Sequence, residues 1–313
     1  MSVGALLLGD SRFPAGGHAH SGGVEPAVTA GTVTDLRTLE LFLRGRLRTA
    51  GLVAAGIAAA ACAHARTRPE IPDGTDDAGG RADDADGERD SFNGGSAPEW
   101  AADAVGSGGI GLAGEQGNGV PGESAALVRE DGFWSELDAE ADARTPAPAQ
   151  REASRRQGRA LLRAARVVWP GAAGLASLAA SVGANAGAAS ATAGATASAT
   201  SIATRAEYRA GPHHAVVLGA AAAAAGCAPA EAARIAAYQA VAGPVSAAVR
   251  LLALDPMRAT GILAGLASDI DQVAAQGAAY ADRPPADLPC ASAPALDLLA
   301  ETHIRAEVRL FES

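Results

Sequence analysis

Apolar positions recur at helical spacing along most of the chain. Leu36, Leu39, Leu43 and Leu47 stand a turn apart, with Arg37, Arg44 and Arg48 turned to other faces. Gly31 ends a preceding helix, and Thr34 is the expected cap, with Asp35 in the first turn. A helical pattern runs from Trp134 to Ala143. A second, over 152–169, carries Leu161, Leu162, Ala165 and Val168 as a stripe that Pro170-Gly171 stops. Pro212 opens a helix that runs to Gly226, and Pro229 opens one expected to end at Gly243-Pro244. Two more are predicted over 245–254 and 258–276. No segment alternates with a period of two. The fold class is all-α: a single helical-bundle-like domain over 1–313, with long disordered insertions.

Composition sharpens this picture. Hydrophobic residues make up 48% of the chain but aromatics only 4%, so the core must be built from Ala, Leu and Val, which suits helices. The net charge of −10 is concentrated in one block. Residues 67–150 hold 19 acids and 5 arginines, which leaves the rest of the chain positive. Within it, 73–90 carries eight acids and no Val, Leu, Ile or aromatic residue, so it cannot bury enough apolar surface to order itself. The span 67–130 therefore reads as a disordered acidic insertion, and 183–204, Gly/Ala/Ser/Thr apart from Asn185 and Ile202, as a low-complexity loop.

Several chemistries are excluded. All 25 basic residues are arginine, so there is no P-loop lysine, no Schiff-base lysine and no Ser-x-x-Lys hydrolase. GxSxG and HExxH are absent. Cys62, Cys227 and Cys290 are isolated thiols, which argues against a disulfide framework or structural zinc and fits a reducing compartment. The apolar runs 51–63 and 215–228 are short for a bilayer, and no basic stretch precedes Leu6-Leu7-Leu8. A cytoplasmic protein with no membrane contact is expected, and one that is not an enzyme.

Five blocks carry a resemblance. The opening LLLGDSRFPAGGHAHSGGVEPAVTAGTVTDLRTLELFL, then SRRQGRALL at 154–162, GPHHAVVLG at 211–219, YQAVAGPVSAAVRLLALDP at 238–256 and the ending LDLLAETHIRAEVRLFES are together similar to the urease accessory protein UreF family. They occur in the family's order and cover nearly all of the chain outside 67–130 and 183–204. The resemblance implies an all-α homodimer that bridges UreD (also called UreH) to the GTPase UreG. That complex delivers nickel to the urease apoprotein and couples GTP hydrolysis to metallocentre assembly. No cofactor bound by the chain itself is implied; nickel is handled by the complex.

Partner contacts are expected within these blocks. In the first they are His20, Ser21, Gly22 and Glu25, where glycines permit positive φ and close backbone approach. His18 and His20, two residues apart, point away from each other, which disfavours joint metal ligation. In the second block the candidates are Arg155, Arg156, Gln157 and Gly158. Arg155, Arg159, Arg163 and Arg166 should form one cationic ridge, matched to an acidic protein surface or simply solvated. Gly158 suggests close helix approach. His213 and His214 fall at a helix N-terminus, where the macrodipole favours neutral imidazole. Tyr238, Gln239 and Arg250 are polar members of a small-residue stretch around Gly243, a candidate dimer seam. Arg305, Arg309, Leu310 and Phe311 belong to a tail expected to be loose until it meets UreD.

Two alternatives stay open beside the bridging reading. One is a metallochaperone that carries nickel itself through His18, His20, His213, His214, Cys62 and His64. The other is a helical DNA-binding regulator, against which stand the net acidity and the absence of interleaved aromatics or a DNA-binding motif.

Overall fold

Alanine-rich sequence allows helices to pack at short range, and the computed structural model places two such helices at the centre. It describes residues 3–10, 13, 20–68, 132–191, 211–306 and 310–311, the side chains of 183–191 excepted. All of these belong to one of the two units into which the chain divides, residues 1–72 with 128–313; the other, 73–127, lies outside them.

The helices are α1 (Val3–Gly9), α2 (Val24–Thr29), α3 (Leu36–Arg46), α4 (Leu52–Arg66), α5 (Gly132–Ala143) and α6 (Pro148–Val168). After them come α7 (Ala173–Ala191), α8 (His214–Ala224), α9 (Pro229–Leu252), α10 (Pro256–Gly265), α11 (Ala267–Ala278) and α12 (Pro294–His303). No β-strand occurs among the described residues.

Several boundaries differ from the sequence expectation for local reasons. The cap of α3 is Asp35, not Thr34. The Asp35 carboxylate accepts from the Thr38 amide at 2.8 Å and the Thr38 hydroxyl accepts from the Asp35 amide at 3.0 Å, a reciprocal box. A π turn, Leu47–Gly51, joins α3 to α4, so the helical run is 31 residues rather than a dozen. Helix α9 continues through Gly243-Pro244 where an end was expected, and 258–276 is split at Leu266 into α10 and α11. Helix α7 extends into the stretch expected as a loop over 183–204; the remainder of that stretch, and nearly all of 67–130, lie outside the described residues.

Helix α4 is apolar all round, which places it inside the fold. Its Ile57, Ala58, Ala61 and Cys62 join Trp134 and Leu137 of α5, Leu161 of α6, Leu175 and Leu178 of α7 and Val216–Leu218 of α8 in one core. Its Ala55 and Ala59 join Val24, Leu39, Leu43, Val241, Ile270 and Val273 in a second. The stretches Leu36–Arg66 and Pro229–Leu252 are long and apolar enough to cross a membrane, but 61% and 50% of their apolar windows are buried inside the fold.

The α4–α8 crossing is closest at Gly219, where a Cβ would lie 2.3 Å from the Ala58 carbonyl oxygen. Gly219→Ala should therefore lower stability by about 2 kcal/mol, since backbone cannot yield as a side-chain tip does. Gly45, exposed in α3 with open space at its Cβ, provides the opposite case. Gly45→Ala should raise stability by about 1 kcal/mol through helix propensity. Urea midpoints of the two variants, moving in opposite directions, check both.

Candidate functional site

Two like charges one turn apart on α5, Asp138 and Asp142, demand cations, and α6 and the start of α8 supply them. Arg155 is 3% exposed and donates from Nη1 to Asp138 Oδ2 at 2.8 Å and to the Gly211 carbonyl at 2.5 Å. Its Nη2 reaches Asp142 Oδ2 at 2.5 Å. His213 gives its backbone N–H to Asp138 Oδ1 at 2.8 Å and holds Asp142 Oδ1 through Nε2 at 2.8 Å. Its Nδ1 lies 3.0 Å from the Ser154 hydroxyl, which also accepts from the His214 amide at 3.2 Å. Burial opposes ionisation of Asp142, yet His213 and Arg155 together hold its carboxyl below the ordinary value. The same two carboxylates outweigh burial at Arg155 and push its guanidinium up.

The expected cationic ridge on α6 is thus broken: Arg155 turns into the protein, because it stands on the Gly158–Leu161–Ala165 face, while Arg156, Arg163 and Arg166 remain exposed. Arg156 lies 3.7 Å from Glu152. Gly158 marks the contact of α6 with the start of α8; a Cβ there would sit 2.0 Å from the Pro212 carbonyl oxygen.

A groove of about 820 Å³ opens beside this latch. His20 and Gly22 from the segment before α2, Gln157 of α6 and His213 and His214 at α8 line part of it. Tyr238, Gln239, Gly243, Pro244 and Arg250 of α9 line the rest, together with Arg46 at the end of α3. All five blocks singled out in the sequence therefore meet at one place, the last of them through Ala300. The Gln239 amide is spent on the Leu8 carbonyl at 2.9 Å, and Tyr238 is 40% exposed. Burial, helped by the nearby His20, pushes the His214 imidazole down to about 4, so it is neutral at physiological pH.

Of the remaining candidates, Glu25 and Phe311 have structural employment. Ser21 is buried. Glu25, also buried, accepts from the Leu310 and Phe311 amides at 2.7 and 2.9 Å and lies 3.1 Å from His303 Nε2. Phe311 is 7% exposed, with the Arg250 guanidinium 4.5 Å from its ring centroid. Leu310 and Phe311 are docked on Glu25, where a loose tail was expected. Arg305 and Leu310 are exposed, and Arg309 lies outside the described residues.

Sequence reasoning missed Arg46, Asp138, Asp142 and Ser154. Only the spacing of the two aspartates gave a signal. Among the described residues, no three His, Cys, Asp or Glu side chains converge where they could hold a metal ion; His18 is not among them. Cys62 and Cys227 are buried, and burial pushes the Cys62 thiol up to about 12, which leaves it inert. His64 is stacked on Phe133, centroids 3.9 Å apart, and meets Trp134 edge-on.

The comparisons with known proteins agree with one another. A family model described as UreF matches residues 124–267. The urease accessory proteins UreF of Mycobacterium sp. (strain JLS) and Mycolicibacterium vanbaalenii are each 36% identical over 308 residues, 98% of this chain and 97% of theirs. That of Mycobacterium marinum is 34% identical over the same shares. Likeness at this level along both full lengths, together with a groove assembled from the blocks that carry it, has one consequence: the chain belongs to the urease accessory protein UreF family.

Proposed function

We propose that this urease accessory protein works as a non-catalytic adaptor, bridging UreD/UreH to the GTPase UreG and regulating GTP-dependent delivery of nickel to the urease apoprotein. The observation that carries this is the groove itself. It gathers Gln157, His213, His214, Tyr238 and Arg250 from separate helices, and its one hydroxyl–imidazole pair, Ser154 and His213, is engaged with the His214 amide and with Asp142, so its polar groups suit recognition of a partner surface. Nickel is cargo of the assembly in this reading. A homodimer in the cytoplasm, with no nucleic acid and no membrane, completes it; Gly243, with open space at its Cβ and its place on α9, remains the candidate seam.

Co-expression with UreD/UreH and UreG provides the test. The three should co-purify as one complex at equal stoichiometry, and the chain should change the rate at which UreG hydrolyses GTP. Failure to retain either partner on size exclusion overturns the bridge. In the same preparation, sedimentation should give a dimer of the chain at micromolar concentration. The closeness of His20 and His214 keeps the carrier alternative specific: stoichiometric nickel retained by the isolated chain on equilibrium dialysis would replace the adaptor reading with it.

A further inference from the structure

Helix α9 runs through Pro244, and that has a chemical cost at a known atom. Proline lacks an amide hydrogen, so the carbonyl four residues earlier, that of Ala240, loses its helical donor. Arg46 replaces it: Nε donates to the Ala240 oxygen at 2.9 Å. Gly22, at φ +59°, makes room for this arrangement, since a Cβ there would lie 3.2 Å from Arg46 Cζ and 2.9 Å from Pro244 Cγ. The guanidinium is thus fixed in orientation by α9 and by the segment before α2, at the point where α3 enters the π turn Leu47–Gly51.

That hydrogen bond uses a single donor of the fork and none of the charge. Among the described residues Arg46 meets no carboxylate, whereas two other deeply placed guanidiniums do: Arg155 meets two and Arg144 meets Glu140. Asp10, the one acidic side chain lining the same groove among the described residues, makes no ion pair with it. Burial alone pushes the Arg46 guanidinium down to about 10, the direction expected of a cation with no counter-charge. A partly buried cation of this kind is costly unless something answers it.

We propose that Arg46 is the anchor of a carboxylate-recognition site in the groove, and that it takes an acidic side chain of the protein partner docked there. A lone guanidinium balances a single monoanion, and the fork matches a carboxylate with two parallel hydrogen bonds. The walls around it, Ala50, Val245, Val249 and Leu263, are small or apolar, which suits a peptide segment carrying one acid. The other two guanidiniums lining the groove are engaged, Arg144 with Glu140 and Arg250 over the Phe311 ring, so a phosphate dianion would be met by Arg46 alone. The inference rests on the adaptor reading for the identity of the partner, but not for the existence of the site.

Two variants and two kinds of probe test it. Arg46→Met removes the charge, and Arg46→Lys keeps the charge while removing the fork. Each is measured against UreD/UreH and UreG by titration, and against the peptide acetyl-hexaglutamate amide by fluorescence anisotropy. Arg46→Met should keep the wild-type helix content and weaken binding of one protein partner at least tenfold; Arg46→Lys should weaken it severalfold. The peptide should follow the same order. If both variants bind every probe as the wild type does, the site is overturned. If Arg46→Met unfolds while Arg46→Lys binds at full strength, Arg46 is only a cap for Ala240 and the proposal is equally overturned. If the wild type binds neither partner yet binds the peptide in an Arg46-dependent way, the adaptor reading fails and the site stands. If the wild type binds no probe at all, both fail.

Discussion

Arg155→Met should cost the fold about 3–5 kcal/mol at neutral pH, the range for breaking a buried pair by removing one partner. The variant leaves Asp138 and Asp142 facing each other on α5 with only His213 between them, and leaves the Gly211 carbonyl without its donor. The pH dependence follows from Asp142. Its folded carboxyl is held below 3.8, so the stability it contributes is present above that value and is lost as pH falls through the folded one. Without Arg155 only His213 is left to oppose burial. The carboxyl then rises, its ionised form becomes a liability at neutral pH, and protonation relieves it. Urea unfolding should therefore show the full deficit at pH 7 and a smaller one near pH 4. Adding Asp138→Asn and Asp142→Asn to Arg155→Met should recover part of the loss, because no charge is then left unanswered. A deficit below about 1 kcal/mol at pH 7, or one that grows in acid, would contradict the latch.

How far the sequence discloses this structure depends on whether the deciding signal is local. Helical periodicity, Gly31 and Pro229 act over a few residues, and the helices they mark are present. The reciprocal box at Asp35 and Thr38 is also local, but a Thr-Asp pair offers two caps and only the three-residue reach to Thr38 selects the second. Gly243-Pro244 reads as a stop because the remedy for the orphaned Ala240 carbonyl comes from Arg46, 194 residues away in sequence. Arg155 reads as one more member of a surface ridge because its two carboxylates are on another helix. The groove follows the same logic: its blocks are visible one by one, while their meeting depends on the fold. What no pattern in the chain could show is that Arg46 would line the groove on a backbone carbonyl, with no carboxylate beside it among the described residues.

The docked tail carries the second large effect. Removing residues 307–313 takes away the buried Phe311 ring and both amides that Glu25 accepts. Losing a buried phenylalanine ordinarily costs about 3–5 kcal/mol, somewhat less near a chain end that can fray. The carboxylate left behind adds to this, since a buried acceptor stripped of its donors bears about 1–3 kcal/mol more. Truncation after Ala306 should thus lower the unfolding free energy by about 4 kcal/mol and move the thermal midpoint down by several degrees. A double-mutant cycle distinguishes docking from a general loss of helix. In the full chain Glu25→Ala should be strongly destabilising, because the Leu310 and Phe311 amides and the nearby His303 lose their acceptor. In the truncated chain the same substitution removes a carboxylate that holds only His303, and its cost should fall by at least 1 kcal/mol. Additive effects would mean that Glu25 and the tail are uncoupled in solution. Coupling carries a consequence for partner recognition as well. Phe311 is then already committed to the core beneath Arg250, and the surface the tail offers to a partner is its outer side, where Leu310 is 72% exposed. Leu310→Ser should in that case leave the melting temperature unchanged and weaken retention of UreD/UreH, whereas Phe311→Ala should lower both.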